Sequence, residues 1–187
     1  MKEENNSSLL DSNSSLLINL PPRNDTETEI FLQQDFPETS LEFDGQEFHF
    51  PFGVHVEAAA KWLEESALTV EISINAKAEA PCARCLKTAN LEISGSLGYL
   101  YHLQGAEDFD DLDDYMPVEV EYFGRVMDIM PQVYESIFAL LPTKVLCRED
   151  CKGLCPNCGK DLNEGVCSCE AESVDPRLEA LRDFNVE

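Results

Sequence analysis

The stretch from Cys147 to Cys169 reads CREDCKGLCPNCGKDLNEGVCSC and holds six of the eight cysteines of this 187-residue chain. The other two, Cys82 and Cys85, lie upstream in PCARCL. Zinc accepts four thiolates in any order along the chain, so short two-ligand turns from distant segments can complete one tetrahedral site. Eight thiols in paired groups match two such sites, and the sequence predicts a fold organised by two Zn(2+) ions.

Cys155 and Cys158 form a knuckle. Two intervening residues let both sulfurs reach one ion, and Gly159 permits the positive φ that turns backbone N–H groups toward the thiolates. Those donors matter because four thiolates around a dication leave two negative charges uncompensated. Cys167 and Cys169 are the natural complement, a tight pair poorly shaped for a mutual disulfide. Cys82 and Cys85 are then left to close with Cys147 and Cys151. The spacing also allows Cys147 and Cys151 to join Cys155 and Cys158, with Cys82 and Cys85 completing a site with Cys167 and Cys169. Four sulfurs per ion leave no open coordination position, so the metal is expected to be structural. Structural zinc contributes on the order of 10 kcal/mol of apparent folding free energy, comparable with the stability of a whole domain.

Outward from the cysteines, the sequence predicts an α+β protein: a barrel-like or curled antiparallel sheet, one packed helix and a C-terminal zinc-ribbon-like cluster. Leu41 to Phe50 alternates around Asp44 and Gly45, a hairpin signature. Alternation returns at Leu68 to Ile74, with Leu68, Val70, Ile72 and Ile74 on one face, and again from Leu91 to Tyr101. Cys82 and Cys85 fall between these two strands, at the sheet rim. Asp128 precedes Ile129, Met130, Val133, Ile137 and Leu140 at helical spacing, and Pro142 stops the helix, giving a span of about 129–141. A short second helix is expected from Asp175. Three domain segments follow: residues 1–40 as an acidic, mostly disordered arm, 41–146 as the β-rich core, and 147–187 as a zinc-binding segment packed on it.

Composition narrows the function. With 37 acidic residues against 13 basic ones, the formal net charge is -24, which excludes nucleic-acid binding by the whole surface. Any RNA contact must be local or through a partner. Arg84, Lys87, Arg148 and Lys152 flank the cysteines and are the candidate partner-binding residues, although they also serve to offset thiolate charge. The Asp-rich run from Glu107 to Glu121 lacks the Gly and closing Glu of a calcium loop and is expected to begin as a solvated loop. His49, His55 and His102 have no ligand spacing and fit ordinary strand positions. No nucleophile elbow, phosphate loop or paired-carboxylate signature is present, so no catalytic residue and no small-molecule substrate are expected. No segment approaches about 18 uninterrupted apolar residues, and nothing resembles a leader, so a reducing cytoplasm is expected.

The order of CARCL, a helix ending in ALLP, the Cys147–Cys169 run with Gly153, Leu154, Pro156, Gly159, Leu162 and Asn163, and a terminal DPRLEALRDF resembles the YceD family of large ribosomal RNA subunit accumulation proteins, over residues 40 to 187. The resemblance implies a non-enzymatic factor for 23S ribosomal RNA accumulation and large-subunit assembly, whose partner is that RNA, the precursor particle or a basic ribosomal protein. Some relatives keep the CxRC pair and lack the CPxCG and CxC ligands. That implies a stabilising role for Cys155, Cys158, Cys167 and Cys169, and a functional surface near Cys82, Arg84 and Cys85. A redox-regulated zinc chaperone is the alternative, against which the order of CxxC before CxC counts.

Overall fold

The computed structural model describes residues 14–105 and 114–169. The expected loop over most of the Asp-rich run, the helix from Asp175 and the first thirteen residues of the arm lie outside the described residues.

Four side chains on one face of a strand fix the centre of the molecule. Leu68, Val70, Ile72 and Ile74 of β6 (Ala67–Pro81) are fully buried, and each such burial contributes about 1.5–3 kcal/mol. The same alternation continues in β5 (Val54–Glu64) through Val56, Ala58, Ala60 and Trp62, and in β7 (Thr88–Leu103) through Ile93, Tyr99 and Tyr101. β5, β6 and β7 pair antiparallel along nearly their whole length, so the three stripes share one face. β3 (Thr39–Phe43) and β4 (Gln46–Phe50) form the expected hairpin, with Asp44 and Gly45 both at positive φ, and β4 joins the far end of β6 at His49 and Glu79.

Across that face lies α1 (Met130–Leu140), with Met130, Val133, Ser136 and Ile137 buried. Asp128 Oδ1 accepts from Met130 N at 2.9 Å, which caps the helix from one position before the N-cap Ile129. The polar groups beneath the helix are paired: the Tyr99 hydroxyl donates to the Gln132 carbonyl at 3.1 Å and lies 2.9 Å from Ser136 Oγ. Phe43 stacks on Phe138 with centroids 5.4 Å apart, so the hairpin closes over the helix. The result is a curled seven-stranded sheet with one helix; no pairing closes it into a barrel among the described residues.

Three features depart from the expectation. The loosely attached arm is instead woven in from residue 14 to 40. β1 (Leu17–Asn19) pairs with β9 (Val126–Asp128), and β2 (Glu29–Phe36) pairs with β5 over eight residues. Leu16, Ile18 and Phe36 are buried, and Trp62 Nε1 donates to the Pro21 carbonyl at 3.1 Å. The acidic composition hides an inward row of Ile30, Leu32 and Phe36 broken by Gln34. The second departure is β5, whose alanine triplet obscures its alternation. The third is β8 (Tyr115–Val120), which runs parallel to β7 and not antiparallel.

Candidate metal centres

β6 ends at Pro81 and β7 begins at Thr88, and the turn between them is a knuckle closed by two backbone bonds: Cys82 N to Lys87 O and Leu86 N to Cys82 O, both 2.9 Å. Ala83 N donates to Val145 O at 2.8 Å, which lays the segment after α1 alongside this turn and brings Cys147 and Cys151 to it. Cys85 Sγ lies 3.6 Å from Cys147 Sγ, and Cys82 Sγ lies 3.9 Å from Cys151 Sγ. All four sulfurs fall within 4.8 Å of one another. A tetrahedron of thiolates about 2.3 Å from a zinc ion has edges of about 3.8 Å, so the spacing fits such an ion. Cys82, Cys85 and Cys151 are buried, with Leu146 and Leu154 packed around them.

The second cluster repeats the turn. Cys155 N donates to Lys160 O at 2.8 Å and Gly159 N to Cys155 O at 2.9 Å. Cys155, Cys158, Cys167 and Cys169 again lie within 4.8 Å of one another, with Cys167 Sγ 3.4 Å from Cys155 Sγ. Of the two pairings the sequence allowed, the structure has the one that joins Cys82 and Cys85 to Cys147 and Cys151. Two four-cysteine groups able to hold metal ions result.

Each group mixes thiols that ionise early with thiols that resist: in the first, Cys82 and Cys151 are lowered and Cys85 and Cys147 raised, and in the second Cys155 is lowered and Cys169 raised. Burial opposes the Cys82 thiolate, but N–H groups of Arg84, Cys147 and Cys85 outweigh it and bring the pKa down to about 6. For Cys155 the N–H groups of Cys158 and Asn157, with the Cys167 side chain, also bring it to about 6. Cys147 is exposed as a residue but turns its sulfur to the other three, and desolvation followed by those neighbours pushes it up to about 12. Cys169 is pushed to about 12, first by Cys158 and then by desolvation. Four sulfurs this close cannot all be anionic alone, and a dication between them removes the conflict.

Three of the four candidate partner-binding residues spend their charge inside the molecule. Arg84 Nη1 donates to the Cys151 carbonyl at 2.7 Å, Lys87 Nζ meets Asp161 Oδ2 and Glu164 Oε1 at 2.7 Å each, and Arg148 bonds Asp150 and Asn163. Lys152 is exposed. These bonds tie the first knuckle to the second, as does Leu154 N donating to Arg84 O at 3.1 Å. Gly153, at φ 76, sits against that same carbonyl: a Cβ there would lie 2.9 Å from Arg84 O.

Asp161 was not singled out, and Gly153 and Asn163 entered only as motif residues. The signal available was the D-x-N step directly after CPNCGK, which makes a local side-chain turn with Asn163 N on Asp161 Oδ1 at 2.8 Å. His49, His55 and His102 occupy β4, β5 and β7, away from both clusters. No helix among the described residues is long and apolar enough to cross a membrane.

The chain is 29% identical over 120 residues to the uncharacterized protein YlbN of Bacillus subtilis, a match covering 64% of this chain and 67% of that one. It is 30% identical over 104 residues to an uncharacterized protein of Mycobacterium tuberculosis, covering 54% of this chain. Against the mycobacterial relatives the match spans about half of their length, 47%. No solved structure matches. The family model described as large ribosomal RNA subunit accumulation protein YceD matches residues 70–185, a span that contains all eight cysteines, and the chain belongs to that family.

Proposed function

We propose that this protein is a cytoplasmic, zinc-stabilised assembly factor that supports accumulation of 23S ribosomal RNA and formation of the large ribosomal subunit, without catalysing a reaction. The observation that carries the reading is the family match over the span that builds both four-sulfur clusters. Zinc suits the donor set: all-thiolate ligands at tetrahedral spacing, each cluster supplied with backbone N–H donors, bind that ion without leaving a coordination site for a substrate. Cys82, Cys85, Cys147 and Cys151 hold one ion, and Cys155, Cys158, Cys167 and Cys169 the other.

Charge favours a basic ribosomal protein as the direct contact over naked RNA. The net charge of -24 repels a phosphate backbone, and Arg84, Lys87 and Arg148 beside the clusters are engaged by the protein's own carbonyls and carboxylates. The precursor particle is then reached through that protein. Depletion in the native host is the test. Large subunits should fall relative to small ones, with 23S RNA reduced, and the tagged chain should carry large-subunit proteins through purification after ribonuclease. Normal subunit ratios on depletion would refute the role; complete loss of the bound material on ribonuclease treatment would make RNA the direct partner.

A further inference from the structure

Asn163 lies in the loop of the second cluster, between Cys158 and Cys167, yet all four of its side-chain bonds are accounted for and three of them reach groups around the first. Its Nδ2 donates to Cys151 Sγ at 3.5 Å and to Asp161 Oδ1 at 2.7 Å. Its Oδ1 accepts from Lys152 N at 2.8 Å and from Arg148 Nη2 at 2.7 Å. An amide offers two donors and two acceptor sites, so this side chain is saturated and fixed in one orientation. Asp161 is itself held by Lys87, two residues beyond Cys85, at 2.7 Å. The connections therefore run in a closed circuit from the first knuckle through Lys87, Asp161 and Asn163 back to Cys151, a ligand of the first cluster.

We infer that Asn163 is a positioning residue through which the second metal site governs the first. The Nδ2–H aimed at Cys151 Sγ orients that sulfur toward Cys82, 3.9 Å away. The loop that carries Asn163 is shaped by ligands on either side of it, Cys158 and Cys167, so the second cluster must be closed for the amide to arrive. The two clusters also differ in what assembles them. Cys155 to Cys169 are near neighbours in sequence, whereas Cys82 and Cys151 are separated by 69 residues and meet only after the sheet and α1 are in place. Loading is consequently ordered: the local site takes its ion first, and the distant site holds its ion tightly only afterwards. By linkage the ion in the first site raises the affinity of the second by the same factor, so the order of loading follows from which cluster assembles locally.

This inference rests on the reading of both clusters as metal sites, and the experiment separates the two. Co(II) is titrated anaerobically into the reduced, metal-free full chain and its thiolate charge-transfer absorbance is followed, with Zn(II) competition for affinity. Failure of the unaltered chain to bind two equivalents refutes the metal reading itself. Given two, Asn163→Ala and Asn163→Asp should lower affinity at the first site by about 10–100-fold while leaving the second within about twofold. The pair C155S/C158S, which removes the second site, should weaken the first to the same degree, and adding Asn163→Ala to it should weaken it little further. First-site affinity unchanged in the two Asn163 variants, or additive losses in the combined variant, would overturn the coupling. If C155S/C158S does not fold, the two single variants decide alone.

Discussion

Leu86 and Gly159 occupy the same place in two copies of one turn: each follows the second cysteine of a knuckle, each donates its N–H to the carbonyl of the first cysteine at 2.9 Å, and each takes positive φ, 61° and 72°. A leucine in that region carries a cost of about 1–2 kcal/mol that glycine does not. The first knuckle tolerates it because both flanking strands fix the turn from outside, while the second has only short loops on either side. Gly159 has open space where a Cβ would stand, so Gly159→Ala isolates the backbone effect and should destabilise the chain by about 1 kcal/mol. Gly153→Ala adds contact with the Arg84 carbonyl and should cost more, about 2–3 kcal/mol, with faster metal loss from the first site. Chemical unfolding of both variants checks the order; equal losses would mean that the Gly153 contact is relaxed at no cost.

The Lys87 ammonium beside Asp161 holds its carboxyl down at about 2, with help from the Asn163 N–H. The stabilisation from this group is present above its ordinary value of 3.8 and disappears as pH falls through about 2. Carbon-detected NMR should therefore show Asp161 still ionised where exposed aspartates are half protonated. In Lys87→Met its midpoint should move back toward 3.8, and the amides of Leu154 and Leu162 should exchange several-fold faster. An unmoved midpoint would show that Lys87 does not make this contact in solution.

His55 Nδ1 donates to Asp35 Oδ1 at 2.6 Å, linking β5 to β2, and this bond raises the imidazole pKa above 6.5, with Glu57 adding to it. The contribution is complete below pH 6.5 and is lost as pH rises through the elevated value. Proton NMR of the ring should give a midpoint above 6.5 that falls in Asp35→Asn, at the ordinary value if the pair does not persist.

Gly53, at φ 74 in the turn before β5, faces the end of β2 so closely that a Cβ would fall on the Phe36 carbonyl oxygen. Gly53→Ala should cost at least about 3 kcal/mol, through the clash added to the backbone strain. Amide protection should drop first along Glu29–Phe36. Uniform loss across all strands would instead mean that β2 does not open separately from the sheet.

The parts of this structure that the sequence makes legible are those held by short-range patterns. Leu68, Val70, Ile72 and Ile74 alternate without interruption, Asp44-Gly45 is a turn by its chemistry alone, and the helix to Leu140 shows its period and its proline stop. Cysteine spacing led to both clusters, since tetrahedral ligation limits the pairings to a few. What stayed hidden depends on long-range partners. β2 becomes a strand only because β5 offers it an edge, and its Gln34 and acids mask the apolar row. The parallel entry of β8 depends on its pairing with β7, which its own residues do not announce. The Lys87, Asp161 and Asn163 chain consists of polar side chains from two loops, and no periodicity announces such contacts.

With a metal ion joining Cys85 to Cys147, the 62-residue span between them, which includes β7, β8, β9 and α1, becomes a ring fastened by coordination. A protease that nicks this ring makes two pieces that stay clasped until a chelator is added, and a force drawn on the chain ends cannot unravel it before sulfur lets go of metal. Such an ion would act as a buckle at the rim of the sheet.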